Sequence, residues 1–242
     1  MRVCAAAPFD ISRGVPSAGA AANAAASNVR WRPHDLLRLQ YLRSFDDEPA
    51  WVRDAFARAP YAVVRRALGA DGFVAIGVRG AARAQRYGTW AHQDDIVNAV
   101  PPESLLQAQP ADKRRGLPPF VALAALQRDA RAPLAAFVWG PAGSAGFELA
   151  TQTPSVTEAS DLDLLIRTPE PLALNAARAL FEQLQTLAQR TRIRIDAQLE
   201  TPAGGVALAE WAAGKTRVLA RHASGPRLIA DPWAVVARDG AA

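Results

Sequence analysis

With 242 residues, half of them hydrophobic, the chain is long enough to bury a substantial core in one large or two small domains. No charge-free apolar run is long enough to cross a bilayer, and Cys4, the single cysteine, excludes a disulfide framework, so we expect a soluble cytoplasmic protein. The formal net charge of +5 comes almost entirely from arginine, which fits either a GC-rich genome or phosphate recognition by guanidinium groups.

The first half of the chain predicts an extension followed by a small domain. Residues 1–29 are rich in Ala, Ser and Gly, lack the apolar core of a secretory signal, and are predicted to be disordered. In the domain predicted over residues 30–99, WRPHDLLRLQYL and PAWVRDAFARA have the spacing of short amphipathic helices. YAVVRRA and FVAIGVRG predict strands, and residues 100–119, which contain several Pro and Gln, predict a linker.

The second half, residues 120–242, alternates predicted helices and strands. FVALAALQRDAR predicts a helix, LAAFVWG a strand, GSAGFELA a turn with a helix start, and SDLDLLI a strand. A long helix from Pro171 to about Arg190 follows, then the strand RIRIDAQLE, the helix VALAEWAAG, and the short strands TRVLAR and PRLIA. This alternation predicts an α/β or α+β domain with a helix-backed sheet.

Two carboxylates lie in the predicted strand SDLDLLI. Because successive side chains of a strand point to opposite faces, Asp161 and Asp163 share one face, while Leu162 and Leu164 share the other. Two acids this close repel each other unless a cation lies between them, and hard carboxylate oxygens suit Mg²⁺. The alternative is a strand edge with two solvated aspartates, and the spacing alone leaves both interpretations open.

Two further features favour the cation. Asp196 lies in the predicted strand RIRIDAQLE, the next strand after one long helix, which would place it beside the acidic pair. Gly143 and Ser144 form a predicted turn between a strand and a helix, where backbone N–H groups bind phosphate and a serine hydroxyl adds a donor. A Gly-Ser turn alone is common, but the order strand, Gly-Ser turn, helix, acidic strand, helix, acidic strand is distinctive.

This order resembles the nucleotidyltransferase superfamily of DNA polymerase β. The resemblance implies an α/β (α+β) fold, in which a mixed polymerase β-like sheet is backed by helices and accompanied by a smaller N-terminal α/β domain. It implies that Gly143 and Ser144 hold the departing pyrophosphate. It also implies that three acids bind two metal ions, Mg²⁺ or Mn²⁺, and that the last of them helps to deprotonate the incoming hydroxyl; these are Asp161, Asp163 and Asp196.

Longer blocks resemble one branch of that superfamily. WGPAGSAGFELAT, SDLDLLI, RIDAQLETPAGGVALAEWA and GPRLIADPW, together with RPHDLLRL and APYAVVRRA, are similar to malonate decarboxylase holo-[acyl-carrier-protein] synthases. Members of that family are phosphoribosyl-dephospho-CoA transferases, and the resemblance covers about residues 30–236. Gln152 and Ser155 depart from the family pattern, in which a glycine and an aromatic residue are expected.

The resemblance implies a specific reaction and a specific partner. The donor would be 2'-(5''-triphosphoribosyl)-3'-dephospho-CoA, the acceptor a serine of the apo acyl-carrier subunit of malonate decarboxylase, and the by-product pyrophosphate. Arg79, Arg83 and Arg86 follow a predicted strand at spacings of four and three, so a helical turn would align them. We expect Arg79 and Arg83 to contact the anionic donor; a solvated basic surface is the alternative.

Two other functions stay open at this point. A nucleotidyltransferase of the same fold that adenylates another small molecule or protein would release pyrophosphate from ATP instead. A nucleic-acid-binding protein would use the basic charge, but it leaves the three acids unexplained because carboxylates repel a phosphate backbone. We therefore expect neither nucleic acid nor a membrane as a partner.

Overall fold

The chain divides into two compact units, each built around one six-stranded sheet. The computed structural model describes residues 2–4 (backbone), 30–45, 48–129 and 131–234. The boundary between the units falls between Pro101 and Pro102, within the segment 100–119 that predicts a linker. Of the segment predicted to be disordered, residues 2–4 form a strand and the remainder lies outside the described residues.

The N-terminal unit is a mostly antiparallel sheet with one helix packed against it. Its elements are β1 (Arg2–Cys4), β2 (Leu36–Leu39), α1 (Trp51–Arg58), β3 (Tyr61–Val64), β4 (Phe73–Arg79), β5 (Arg86–His92), a 3-10 turn (Gln93–Asp95) and β6 (Ile96–Val100). The strand order is β1-β5-β4-β3-β2-β6, with β1 parallel to β5. Val52 of α1 joins Leu37, Ile76 and Tyr87 of the sheet in one fully buried core.

The helix predicted over WRPHDLLRLQYL is wrong, because this segment forms a turn and strand β2. The Asp35 side chain accepts the backbone N–H of Arg32 at 2.8 Å, and His34 has a φ of 73°, so the chain reverses before the strand begins. Strand β2 lies between β3 and β6, and Leu36 and Leu37 are both buried. A strand with both faces covered loses its polar alternation, which is why its leucines imitate helical spacing. The neighbouring helix α1 and strands β3 and β4 are confirmed.

The C-terminal unit is a mixed sheet backed by helices. Its helices are α2 (Pro118–Arg128), α3 (Gly143–Thr151), α4 (Leu174–Thr191) and α5 (Leu208–Ala212), with 3-10 turns at Pro102–Gln107, Asp112–Arg114 and Pro133–Ala136. Its strands are β7 (Val138–Pro141), β8 (Leu162–Arg167), β9 (Ile195–Thr201), β10 (Gly204–Ala207), β11 (Val218–His222) and β12 (Gly225–Ile229). The strand order is β12-β11-β10-β9-β8-β7, and β8 and β9 are parallel. Two predicted elements are divided: LAAFVWG is a 3-10 turn followed by β7, and VALAEWAAG is the end of β10 followed by α5.

Helix α4 is the crossover that makes the parallel pairing of β8 and β9 possible. Its buried residues recur at helical spacing and pack toward α2, α5 and β9; they are Ala177, Leu180, Leu184 and Leu187. The crossover returns the chain so that the first residues of β8 and β9 lie side by side. Within the described part of the chain, no helix combines the length and the apolar composition that crossing a bilayer requires.

Candidate active site in the C-terminal unit

The Gly143-Ser144 turn begins helix α3 directly after strand β7. Ala142, the residue before the helix, donates its backbone N–H to the carbonyl oxygen of Asp163 at 2.8 Å. Gly143 has a φ of 57°, which favours glycine, and a Cβ at this position would collide with Oδ2 of Asp163. Ser144 is buried in the first turn of the helix. The turn predicted to bind phosphate therefore lies against one of the predicted carboxylates.

The three predicted carboxylates gather at the starts of strands β8 and β9. Asp163 and Asp196 occupy paired positions of the parallel ladder, and Asp161 precedes the first residue of β8. Leu162 and Leu164, which alternate with the acids, are buried. The acids therefore lie on the opposite face of the sheet from these leucines. All three are found in one region of that face.

Arg194 is the cation between two of these acids. Its Nη2 lies 3.1 Å from Oδ2 of Asp161 and 2.5 Å from Oδ2 of Asp196. The side chain of Arg194 is 65% exposed, compared with 19% for Asp161 and 47% for Asp196. Ion pairs with so much access to water contribute only about 0.2–1 kcal/mol each, so the guanidinium can leave the acids at small cost. Arg194 was not among the predicted site residues, although it precedes Asp196 by two residues, the spacing that puts both side chains on one face of a strand.

The carboxylates suit a divalent cation in their donor chemistry. Hard carboxylate oxygens are the ligands that Mg²⁺ prefers, and Asp161 and Asp196 already share one cationic nitrogen. Among the described residues, however, no group of three or more His, Cys, Asp or Glu side chains is arranged to hold a metal ion. The metal site therefore stays a prediction.

An ion pair with a buried carboxylate holds the loop between the Gly-Ser turn and the acidic strand. Glu148 of α3 is 2% exposed, and both of its carboxylate oxygens pair with the guanidinium of Arg114. Its Oε2 also accepts the backbone N–H groups of Ser155 and Val156 at 2.7 and 2.8 Å. The Ser155 hydroxyl in turn donates to the backbone carbonyl oxygen of Ser144 at 2.9 Å. The loop is thereby tied directly to the predicted phosphate-binding turn.

The electrostatics of this pair keep both groups ionised. Burial by itself raises the pKa of Glu148, but hydrogen bonds from Arg114 and from the backbone N–H groups of Ser155 and Val156 outweigh burial, so that the pKa is lowered. The hydrogen bond to Glu148 raises the pKa of Arg114. Neither residue was predicted as part of the site, although an acid in the apolar run GFELA requires a partner if it is buried.

The departure at Gln152 has a structural counterpart. Gln152 ends helix α3 with a φ of 56°, a left-handed conformation in which glycine is favoured. Its side-chain amide donates to the carbonyl oxygen of Leu149 at 3.0 Å, so the residue caps the helix that it ends. The left-handed backbone conformation at Gln152 therefore explains why a glycine is expected at this position.

Arg79 and Arg83 lie in the N-terminal unit. Arg79 ends β4 and pairs with Arg86, the first residue of β5, while Arg83 is exposed in the connection between these strands. The predicted helical turn is wrong, because the backbone N–H of Gly80 donates to the carbonyl oxygen of Gln85 at 3.0 Å and closes a hairpin. Binding of the donor by Arg79 and Arg83 stays a prediction.

Comparisons with known proteins place the chain in a family. Residues 32–102 match the N-terminal domain, and residues 105–232 the C-terminal domain, of the family described as phosphoribosyl-dephospho-CoA transferase MdcG. A Pseudomonas aeruginosa protein is 45% identical over 206 residues, which cover 84% of this chain and 94% of that relative. An Azotobacter vinelandii protein is 43% identical over 210 residues, which cover 85% of this chain and 96% of that relative. Both relatives are named phosphoribosyl-dephospho-CoA transferase, and no solved structure matches the chain significantly.

The two helix-backed sheets and these matches define a transferase of α+β architecture. The chain belongs to the MdcG family of phosphoribosyl-dephospho-CoA transferases. The predicted family and the α+β fold class are thus confirmed. The finer assignment to a polymerase β-like nucleotidyltransferase fold stays a prediction.

Proposed function

We propose that the protein transfers the phosphoribosyl-dephospho-CoA group from 2'-(5''-triphosphoribosyl)-3'-dephospho-CoA to a serine of the apo acyl-carrier subunit of malonate decarboxylase. The family membership supports the group that is transferred, since the relatives carry the name of that transferase activity. The resemblance noted in the sequence supports the carrier as acceptor. We assign the chemistry to the C-terminal unit.

The reaction is one substitution at phosphorus. The serine Oγ of the carrier attacks the phosphorus nearest the ribose, and the bond from that phosphorus to the bridging oxygen of the leaving diphosphate breaks. A phosphodiester forms, and pyrophosphate departs with the electron pair of the broken bond. Most of the acceleration in such a reaction comes from positioning and from stabilisation of charge, which is what a rigid turn and a fixed group of carboxylates supply.

Gly143 and Ser144 bind the leaving diphosphate in this proposal. The first backbone N–H groups of helix α3 have no partner within the helix, so they are available to phosphate oxygens. A side chain at position 143 would collide with Asp163, and glycine instead lets the backbone lie against both the carboxylate and the phosphates. The bonds from Ser155 to Ser144 and from Glu148 to the loop hold this turn in place.

Asp196 accepts the proton of the attacking serine. It is the more exposed of the two acids that contact Arg194, and so it is the more accessible to a hydroxyl carried on another protein. Asp161 and Asp163, together with Asp196, would hold Mg²⁺ or Mn²⁺, which when bound neutralises charge on the phosphates. Arg194, once it has left the acids, would offer its guanidinium to the phosphates of the donor.

The observation that carries the proposal is the contact between the Gly143 turn and Asp163, whose paired position on the next strand is Asp196. The test incubates the protein with the apo carrier subunit, the triphosphoribosyl donor and Mg²⁺, and follows the carrier by mass spectrometry. Asp163→Asn and Asp196→Asn should each lower the transfer rate by about a hundredfold or more, the scale of a lost catalytic acid or base.

Glu182→Gln is the matched control, because Glu182 is an exposed acid of the same unit in helix α4, and the transfer rate of this variant should be that of the wild type. Each variant is checked for folding by its thermal unfolding midpoint. A carrier that gains no mass with the wild-type protein would contradict the proposal. If ATP yields pyrophosphate where the triphosphoribosyl donor does not, the adenylating alternative replaces it.

A further inference from the structure

The last hairpin of the C-terminal sheet, formed by β11 and β12, is strongly basic. Between Lys215 and Ala230 the sequence contains Lys215, Arg217, Arg221 and Arg227 but neither Asp nor Glu. The whole chain has a formal net charge of only +5, so this short segment carries much of the excess positive charge. A segment of this kind favours a partner with negative charge.

One face of the hairpin combines this charge with exposed apolar side chains. Leu219 and Leu228 are paired across the two strands and are 39% and 54% exposed, while Val218, on the opposite face, is fully buried. Arg221 follows Leu219 by two residues and therefore lies on the same face, paired with Pro226. We call the surface formed by Leu219, Leu228, Arg221 and Pro226 the hairpin face.

Among the residues that the structure describes, the two arginines beside the leucines have uncharged hydrogen-bond partners. Arg221 donates from Nη1 to the side-chain amide oxygen of Gln198 at 2.7 Å, and Arg217 donates from Nη2 to the backbone carbonyl oxygen of Leu228 at 2.6 Å. Both acceptors are uncharged, and among the described residues neither arginine pairs with a carboxylate. A carboxylate brought by another protein can therefore pair with Arg221 without displacing an internal ion pair.

The hairpin face is continuous with the candidate active site. Gln198, the partner of Arg221, follows Asp196 by two residues in β9 and lies on the same face of the sheet. Strands β9 and β11 are separated by β10, and two strand spacings amount to about 10 Å. Stable protein interfaces bury about 800 Å² on each partner, a patch roughly 25–30 Å across. A protein that brings a hydroxyl group to Asp196 therefore also covers the hairpin face.

We propose that the hairpin face is the docking surface for the acceptor protein, and that this protein presents an acidic surface next to the serine that is modified. The identity of the acceptor as the apo acyl-carrier subunit rests on the proposed function. Burial of Leu219 and Leu228 supplies the apolar centre of the interface, and Arg221 supplies electrostatic complementarity at its side. A nucleic acid would leave the leucine pair without a partner, because its backbone offers charge and little apolar surface to a flat face.

The same hairpin offers a matched control. Arg227 is paired with Ala220, whose side chain is buried on the opposite face, so Arg227 lies on that side of the hairpin as well. Its Nη2 donates to the Ser224 hydroxyl at 2.9 Å, and its side chain is exposed. Arg221→Glu and Arg227→Glu therefore make the same change in net charge on the same hairpin, one on the proposed docking surface and one away from it.

Calorimetry with the apo carrier subunit, its acceptor serine replaced by alanine, measures docking without chemistry. Arg221→Glu and Leu219→Asp should each raise the Kd by at least about tenfold, whereas Arg227→Glu should change it less than about twofold. Circular dichroism and thermal unfolding establish that each variant is folded. An unchanged Kd in both Arg221→Glu and Leu219→Asp, an equal loss in Arg227→Glu, or the absence of binding by the wild-type protein would overturn the inference.

Transfer kinetics separate this inference from the proposed function. With the native carrier, Arg221→Glu should raise the KM for the carrier and leave the KM for the triphosphoribosyl donor unchanged. If the wild-type protein binds the carrier through the hairpin face yet transfers no group to it, docking stands and the proposed function fails. If transfer proceeds with the same carrier KM in every variant, the proposed function stands and docking on this face is rejected.

Discussion

The guanidinium of Arg194 contacts Asp161 and Asp196 where a divalent cation would lie between them. A positive charge there relieves the repulsion between acids, so the site can persist without metal. The same charge opposes an incoming cation and has to leave before one binds. At the scale of single residues, we therefore expect Arg194 to weaken the binding of a metal at the candidate site in the absence of the donor.

Replacing Arg194 by alanine should strengthen Mn²⁺ binding at least about twofold, because the two removed ion pairs are exposed and contribute about 0.2–1 kcal/mol each. Titration followed by the electron paramagnetic resonance of free Mn²⁺ measures the Kd directly. Arg192→Ala serves as the control, since Arg192 is an exposed arginine only two residues earlier and its removal should leave the Kd unchanged. Weaker binding in Arg194→Ala would mean that the guanidinium supports the metal site instead of competing for it.

At the scale of elements, the side chain of Glu148 connects helix α3 to the loop that follows the helix. The carboxylate joins Arg114, from a 3-10 turn far earlier in the sequence, to the backbone of Ser155 and Val156. Loss of one member of a buried ion pair leaves the other charge without compensation. The conformation of the loop between the Gly-Ser turn and Asp161 therefore depends on this single carboxylate.

Glu148→Gln should lower the free energy of unfolding by about 2–4 kcal/mol at neutral pH, since the partly buried Arg114 then loses its counterion and the N–H groups of Ser155 and Val156 lose a charged acceptor. Urea unfolding gives the difference between the variant and the wild type, with the exposed Glu158→Gln as control. Because the pKa of Glu148 is lower in the folded chain than its usual 4.5, its stabilisation is complete above that pH and is lost as the pH falls through the lowered folded value. The difference between variant and wild type should therefore shrink as the pH falls below about 4.5, and a difference that grew there would contradict the assignment.

The elements that the sequence predicts well are those whose pattern is local. Helix α4 repeats its buried residues over several turns, and the SDLDLLI strand alternates acids with leucines, so both are found close to the expected bounds. The helix predicted at strand β2 is wrong because Leu36 and Leu37, on opposite faces of the strand, are both buried and so remove the polar alternation of a strand. The β4–β5 hairpin was misassigned because arginines at helical spacing also fit two paired strands joined by a turn.

In the candidate site, too, the features with a local sequence pattern were predicted, and those that depend on contacts between distant segments were not. Spacing and element order predicted which acids and which turn lie near each other, because a parallel pairing with one crossover helix places the starts of β8 and β9 together. Contacts between distant segments leave no local pattern, and the pairing of Arg114 with Glu148 joins residues 34 positions apart. Arg194 was missed for another reason, since an arginine near the start of a strand most often faces solvent.

At the scale of the whole molecule, the two units match separate domains of the family. The candidate carboxylates and the Gly-Ser turn belong to the C-terminal unit, and Arg79 and Arg83 belong to the N-terminal one. If the N-terminal unit contributes to recognition of the anionic donor, substitution of its arginines should change the KM for the donor and leave the KM for the carrier unchanged. Kinetics can test this division of labour for each substrate separately.

Arg83→Glu should raise the KM for the triphosphoribosyl donor by about tenfold, the effect of one lost charge-assisted hydrogen bond, without changing the KM for the carrier. Arg83 is the better choice for substitution because it is exposed, whereas Arg79 is partly buried. Arg58→Glu, an exposed arginine at the end of helix α1, is the control in the same unit and should leave both values unchanged. Unchanged donor kinetics in Arg83→Glu would remove this residue from the binding site.

The absence of space for even one methyl group at position 143 links two parts of the site that differ in chemistry. Any side chain introduced there displaces Asp163, so a substitution at position 143 that altered the predicted diphosphate-binding turn would also alter the acidic cluster. Over evolutionary time the two parts cannot diversify independently through this position. Specificity for a different leaving group or a different metal ion would have to arise from substitutions elsewhere in the loop or in the neighbouring strand.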